Sequence, residues 1–415
     1  MRVRIHRGAR EIGGNCVELE LGDKRLVLDL GLPLEAEVGA DIGLPDIAGL
    51  SAPDDGALLG VILSHPHQDH YGLVAQADPA VPLYIGRSAA AILDAAAFFT
   101  PSGIRMQPAG FLKDGQPFAL GPFNVTPYLV DHSAFDSYAL LIEGRGRRLF
   151  YSGDYRAHGR KAALVRKLCA HPPKGVDVLL LEGTHVRRND PGLVGPDESE
   201  LELAMAERFR SARGLSVVFS SAQNIDRLVT VYRACKRVKR TLVVDLYTAT
   251  IADAADKDTI PRPGSHRVRV YVPNRQRILV KESGEFYRVD SLRRHRIFLE
   301  EVHARAGELV MIIQGSTLPE LARANCLHHA TAIWSLWPGY LDLRSGRRTA
   351  ELLQEQRVPL FRLHASGHAR VEDLQALARA IGSGRVVPIH TSAPERFAEL
   401  FSGAEQHSDG EWWEV

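Results

Sequence analysis

Short apolar runs that end in a polar, chemistry-bearing residue recur along the first half of this chain. Residues 57–63 (Ala-Leu-Leu-Gly-Val-Ile-Leu) read as a buried strand and lead straight into Ser64-His65-Pro66-His67-Gln68-Asp69-His70. The runs 25–29, 149–154 and 176–182 end in Asp29, Asp154 and Glu182, and two more strand-like runs flank Asp131-His132 within 121–143. The Ala- and Leu-rich stretches 88–99 and 161–170 predict helices. This alternation predicts an α/β fold, with polar residues at the strand ends where ligands gather in open α/β sheets.

From Ser199 the texture changes. A helix is expected over 200–212, a strand over 215–219, a helix over 226–237 and a strand over 241–245, with further apolar runs at 309–313 and 330–336. That pattern predicts a second, parallel α/β unit. Histidines again follow apolar runs in Phe361-Arg362-Leu363-His364-Ala365-Ser366-Gly367-His368 and in Arg385-Val386-Val387-Pro388-Ile389-His390. The simplest organisation is an insertion: a first domain over 1–195, a second over 196–354, and the first resuming over 355–415.

Composition narrows the class. With 415 residues, 45% hydrophobic and 24% charged, the chain is ordinary for a globular protein and long enough for two domains. Neither a secretory leader nor an apolar run of the roughly 20 residues needed to span a bilayer is visible, so no membrane association is expected. Cys16, Cys169, Cys235 and Cys326 lie far apart without a Cys-x-x-Cys pair, which argues against a zinc ribbon or a disulfide framework and for a cytoplasmic chain. The net charge is only +1, yet residues 225–305 hold 18 Lys and Arg against 10 Asp and Glu. A regional surplus of that kind is the footprint of a phosphate-backbone partner.

The cluster at 65–70 carries the sharpest chemistry. His65 and His67 alternate toward one side, while Asp69 and His70 can turn toward another, so the spacing suits two adjacent metal ions. Imidazole and carboxylate donors suit zinc, with manganese as the alternative. Two ions need more ligands than one loop supplies, and His132, Asp154 and His390 stand at other strand ends. One ion would take His65, His67 and His132, the other Asp69, His70 and His390, with Asp154 bridging both.

The order Asp29, His65-x-His67-x-Asp69-His70, His132, Asp154 resembles the metallo-β-lactamase fold. Glu182, the His368 segment and His390 resemble the further motifs of its β-CASP nuclease branch. Within that branch the chain is most similar to the ribonuclease J family. The likeness is carried by Gly8-Ala9-Arg10-Glu11-Ile12-Gly13-Gly14-Asn15, Leu120-Gly121-Pro122-Phe123, Val130-Asp131-His132-Ser133, the stretch from Phe219-Ser220-Ser221 to Arg227, and His364-Ala365-Ser366-Gly367-His368. The resemblance implies an αββα metallo-β-lactamase sandwich with an inserted β-CASP domain and an active site in the cleft between the two. It also implies cleavage of RNA by exo- or endonucleolytic hydrolysis, on single-stranded and 5′-monophosphorylated substrates. In that family a histidine at the last motif, here His390, goes with RNA-acting members more than with DNA-acting ones, so the resemblance implies RNA as the substrate. The chain departs from the family in two places: it lacks the further C-terminal domain of many members, which leaves a homodimer open, and Ser335-Leu336-Trp337-Pro338-Gly339-Tyr340 matches only loosely.

On this reading two cations relieve the repulsion at an anionic phosphodiester and lower the pKa of a shared water. Asp69 is essential for metal and activity alike, His368 is the general acid, Glu182 holds its imidazole protonated, and Asp29 anchors the 65–70 loop. His364, Ser366, Ser221, Asn224 and Arg227 are candidate substrate contacts. A β-CASP DNA nuclease and a non-catalytic scaffold are the competing readings.

Overall fold

The computed structural model of the chain describes residues 1–36, 42–52, 56–100, 104–187 and 195–415. Its contacts divide the chain into two compact units. The first comprises Met1–Ala97, Pro101–Val194 and Gly367–Val415, and the second Phe98–Thr100 and Gly195–Ser366. The stretch 188–194, just before the expected first boundary, lies outside the described residues. At the other boundary the chain stays with the second unit through Ser366 rather than 354. The cause is local: Leu360–Arg362 forms a strand that pairs in parallel with Thr331–Trp334.

The first unit contains two sheets among its described residues. One runs in the order Trp412–Glu414, Arg2–Arg7, Cys16–Leu21, Lys24–Leu28, Leu58–Ile62, Leu83–Gly86, Gly110–Leu112. The other runs Arg385–Ile389, Val178–Glu182, Arg147–Tyr151, Ser137–Gly144, Phe123–Val130, Phe118–Leu120. Successive side chains of a strand point to opposite faces, and the sequence uses both. Val17, Leu19, Leu26, Leu28 and Ile62 of the first sheet meet Leu140, Ile142, Leu149, Tyr151, Val178 and Leu180 of the second in one core between the sheets. The alternate residues turn outward. Val27, Val61 and Ile85 pack with Ala89 and Leu93 of the helix Arg87–Ala97. Leu141, Phe150, Leu179 and Leu181 pack with Val165 and Leu168 of the helix Ala162–Ala170 and with Leu374 and Leu377 of the helix Val371–Ile381. The result is the expected αββα sandwich, whose strands read as continuous apolar runs because both of their faces are buried.

The second unit is built on a fully parallel sheet in the order Val268–Tyr271, Thr241–Asp245, Leu309–Ile313, Ser216–Phe219, Thr331–Trp334, Leu360–Arg362. Val217, Phe219, Met311, Ile313, Ala332 and Trp334 fill a core on one of its faces with Leu318, Leu321 and Leu353. All strands running one way leaves every C-terminal strand end on a single edge.

Leu180 is fully buried in the inter-sheet core. Leu180→Ala is expected to destabilise the first unit by about 2–5 kcal/mol, read as a lowered melting temperature by circular dichroism.

Candidate metal centre

The strand Leu58–Ile62 delivers Ser64 to a fully buried position beside Asp29, which follows the strand Lys24–Leu28. Asp29 adopts a left-handed backbone conformation (φ 59°), an unfavourable state that persists only where surrounding bonds over-determine it. Those bonds are present. Its Oδ1 accepts from the Ser64 backbone N–H at 2.7 Å, and its Oδ2 accepts from Ser64 Oγ (2.8 Å), Tyr151 Oη (2.7 Å) and His70 Nδ1 (2.8 Å).

From this carboxylate the histidine tautomers follow. Ser64 Oγ donates to Asp29, so it accepts from His65 Nδ1 at 3.0 Å. His390 Nδ1 donates to Asn15 Oδ1 (3.1 Å), and Asn15 Nδ2 donates to Tyr151 Oη (3.3 Å). His132 Nδ1 donates to the Gly367 carbonyl at 2.6 Å. In each ring the occupied Nδ1 leaves Nε2 as the lone-pair nitrogen, the tautomer a metal ligand needs.

The ligand atoms then converge. His65, His67 and His132 form one group in which all ligand atoms lie within 4.8 Å of one another, and Asp69, His70, Asp154 and His390 form a second. Asp154, Glu182 and His368 form a third, so Asp154 belongs to two of the three. His65 Nε2, Asp154 Oδ1 and His390 Nε2 are buried without a hydrogen-bond partner. Buried polar atoms are rarely left so. Three of them in one place, with His132 Nε2 only 3.1 Å from His67 Nδ1, fit a site shaped for divalent cations.

The electrostatics agree. Burial first, then the neighbouring imidazoles, hold His65 well below the usual histidine range, and burial takes His67 down to about 4 and lowers His132, so these rings are neutral donors. His70 is pushed the other way. Burial opposes its protonation, but Asp154, Asp29 and Asp69 together raise it well above the usual value. Three carboxylates around one imidazole mark a place where positive charge is favoured.

Close backbone approach fixes the Asp69 side of the cluster. A Cβ on Gly31 would sit 1.8 Å from the Asp69 carbonyl oxygen, and the Asn15 N–H donates to that same oxygen at 3.0 Å. Gly13, with φ +85°, would place a Cβ 3.0 Å from the Asp69 Cβ. The glycine-rich opening of the chain is therefore a backbone cradle for Asp69. The His390 N–H donates to the Gly8 carbonyl at 2.7 Å and holds His390 at φ 54°.

Beside the ligand groups, His368 Nδ1 lies 3.0 Å from Thr184 Oγ1, 3.5 Å from Glu182 Oε2 and 3.7 Å from Asp154 Oδ2. Burial disfavours its charge, yet Glu182 and then Asp154 outweigh that and push it up to about 9. Glu182 is lowered despite burial, by the charge of His368 and their hydrogen bond. Thr184 and Tyr151 were not singled out by sequence, and Asn15 entered only as the end of the glycine-rich opening, because a lone hydroxyl or amide carries no spacing signal.

The expected substrate contacts lie in the second unit. Asn224 caps the helix Ile225–Val238 by accepting from the Arg227 N–H at 2.9 Å. Arg227, read from sequence as a substrate contact, is fully buried; its guanidinium donates to Ser335 and to the Ala365 carbonyl and pairs with Glu198. It braces the strand ends and is not presented to a ligand. Ser221 is exposed on the turn that follows Ser216–Phe219, His364 Nδ1 lies 3.2 Å from the Ser335 carbonyl, and Ser366 is partly buried.

Residues 50–215 match the Beta-lactamase superfamily domain. The fold is the αββα sandwich of the metallo-β-lactamase type, and residues 50–215 are similar to that superfamily. The chain is 25% identical over 420 residues to "Ribonuclease J" of Mycobacterium tuberculosis, covering 94% of this chain and 68% of that protein. It is 28% identical over 237 residues to "Ribonuclease J" of Helicobacter pylori, where the match spans only about a third of the relative's length (33%) and 55% of this chain. A crystal structure of a protein of unknown function from Enterococcus faecalis V583 shares the fold across 99% of both chains, with a TM-score of 0.80 at 23% identity. The family match is thus confined to residues 50–215, and the structural match extends a shared fold across the whole chain.

Asp29→Asn keeps the shape of the hub and removes its charge. Metal affinity, measured by competition with a chromogenic chelator, is expected to fall about 10–100-fold, whereas Asp154→Ala abolishes binding at both groups.

Proposed function

We propose that this chain is a metal-dependent ribonuclease of the ribonuclease J type, acting on single-stranded, 5′-monophosphorylated RNA by exo- or endonucleolytic hydrolysis. The observation that carries the reading is the sharing of Asp154 between a four-residue ligand group and the Glu182–His368 pair, which sets a proton donor beside a paired-cation site. The similarity to proteins named ribonuclease J supports RNA as the substrate. We take the second unit to be a β-CASP insertion. The four cysteines are unpaired, in keeping with a reducing, cytoplasmic setting. No helix among the described residues is long and apolar enough to cross a membrane. A homodimer remains part of the proposal.

His65, His67 and His132 would hold one divalent ion and Asp69, His70, Asp154 and His390 the other; Asp154, whose Oδ2 lies 3.7 Å from His65 Nε2, is the candidate shared ligand. Imidazole-rich donors favour zinc, with manganese as the alternative. Bound there, the ions supply charge neutralisation at the phosphodiester and a water of lowered pKa. The rest is the work of side chains. Asp29 keeps the His65 and His70 rings turned inward. Glu182 and Thr184 hold His368 through Nδ1, so its transferable proton is assigned to Nε2, from which it passes to the departing 3′ oxygen as the P–O bond breaks. Glu182 keeps the imidazole charged until that moment.

The direct test incubates 3′-labelled, 5′-monophosphorylated RNA and DNA of one sequence with the metal-loaded protein. Loss of the RNA, abolished by chelator and by Asp69→Ala, is expected, and the product ladder separates exo- from endonucleolytic action. Degradation of the DNA alone overturns the substrate choice, and an inert protein overturns the enzyme reading.

A pH dependence follows from His368. Its acid form is populated below about 9, so activity is expected to hold across neutral pH and to fall about tenfold per unit above that value. His368→Ala should slow turnover by about 10²–10⁴-fold with metal content unchanged, and should lose that alkaline limb. Unchanged turnover in this variant removes the acid assignment.

A further inference from the structure

The loosely matching segment Ser335-Leu336-Trp337-Pro338-Gly339-Tyr340 leaves the C-terminal end of the strand Thr331–Trp334, on the sheet edge where ligands gather in parallel α/β units. Its base is rigid. The Ser335 N–H donates to the Phe219 carbonyl at 2.9 Å, Ser335 Oγ donates to the Leu363 carbonyl at 2.6 Å, and buried Arg227 donates to Ser335. Its tip exposes aromatic surface. Trp337 is 53% exposed, Tyr340 46% and Leu343 54%. The Trp337 and Tyr340 rings meet edge to face with centroids 5.5 Å apart.

The indole is held in place as well as exposed. A Cβ on Gly339 would lie 2.1 Å from Trp337 Cζ3, so the ring rests on a residue that only glycine can fill. The Trp337 carbonyl accepts from Trp334 Nε1 at 3.3 Å and from the Tyr340 N–H at 3.1 Å. An exposed ring with this much support beneath it is preorganised for a flat partner.

The neighbouring charges say what kind of partner. The helix Arg344–Glu355 begins with Arg344, Arg347 and Arg348, all exposed, and has no acid in its first turn and no side-chain cap. Cations at a helix N-terminus oppose the helix dipole, so helix stability does not account for them. Among the described residues none of the three forms an ion pair. Asp342 is the one acid between 335 and 350. Aromatic faces beside concentrated positive charge match a strand that is anionic along its backbone and carries unpaired bases.

We propose that the Trp337–Tyr340 pair, with Arg344, Arg347 and Arg348, forms a base-stacking platform for a single-stranded stretch of RNA. The inference rests on the ribonuclease reading only for the choice of RNA as the strand, since the platform's chemistry lies in the second unit and needs no metal. Trp337 supplies the stacking face, Tyr340 fixes its edge, and the three arginines neutralise the backbone.

The test is fluorescence anisotropy with the full chain, kept in chelator so that no strand is cut. The probes are a labelled 12-nucleotide oligouridylate and an abasic strand of equal length and charge. The parent is expected to bind the base-bearing strand more tightly. Trp337→Ala should weaken that binding on the order of tenfold and leave the abasic strand unchanged, whereas Trp337→Phe retains the preference. Gly339→Ala, which displaces the indole, should reproduce the Trp337→Ala loss at an unchanged melting temperature. Reversing the three arginines to glutamate should weaken both strands and flatten the salt dependence.

Equal affinity of parent and Trp337→Ala for the oligouridylate overturns the proposal. So does a Trp337→Ala variant that changes only the oligomeric state by light scattering, since the aromatic face then belongs to a second copy. Selective loss of binding in a protein that cuts no RNA leaves the platform standing and removes the ribonuclease reading. Metal-dependent cleavage with unchanged binding in Trp337→Ala does the reverse.

Discussion

Everything at the metal centre depends on one buried carboxylate. Asp29 is wholly shielded from water and accepts four hydrogen bonds, from the Ser64 backbone, the Ser64 hydroxyl, Tyr151 and His70. An ionised carboxylate in such a place is tolerable only with its lone pairs satisfied. The same bonds orient His70 directly, His65 through Ser64, and His390 through Tyr151 and Asn15. They also join the two sheets, because Ser64 follows a strand of one and Tyr151 ends a strand of the other. The inter-sheet core and the ligand geometry are thus parts of one arrangement, and the left-handed strain at Asp29 is held by both.

This arrangement sets what the site can do. Neutral imidazoles collect on one side, and carboxylates around a protonation-prone His70 collect on the other. His368 stands beside them, kept protonated by Glu182 and braced by Thr184. Cation binding and proton donation are assigned to different residues but meet at Asp154, so neither is independent of the other.

Much of this was legible in the sequence, for a physical reason. Strands buried on both faces read as uninterrupted apolar runs, so 57–63, 176–182 and 309–313 announced themselves, and the ligands were recognisable as the polar residues that ended the first-unit runs. The three strands at one end of the first sheet were not recognisable. Arg2–Arg7 and Cys16–Leu21 carry Arg2, Arg4, Glu18 and Glu20 as cross-strand ion pairs, and Trp412–Glu414 is too short to show a period. The residues that orient the ligands were silent too: Asn15, Tyr151 and Thr184 act through single hydrogen bonds that no spacing encodes. Arg227 misled because a cation at a helix start reads as a surface group, whereas here Glu198, Ser335 and Ala365 enclose it.

The central proposal is that the buried cluster is a paired-cation site. Native mass spectrometry of the intact chain, after dialysis against zinc and removal of loosely held ions, counts those ions directly. Two ions per chain, both absent from Asp154→Ala, are the predicted result. A single ion, or two that persist in that variant, contradicts it.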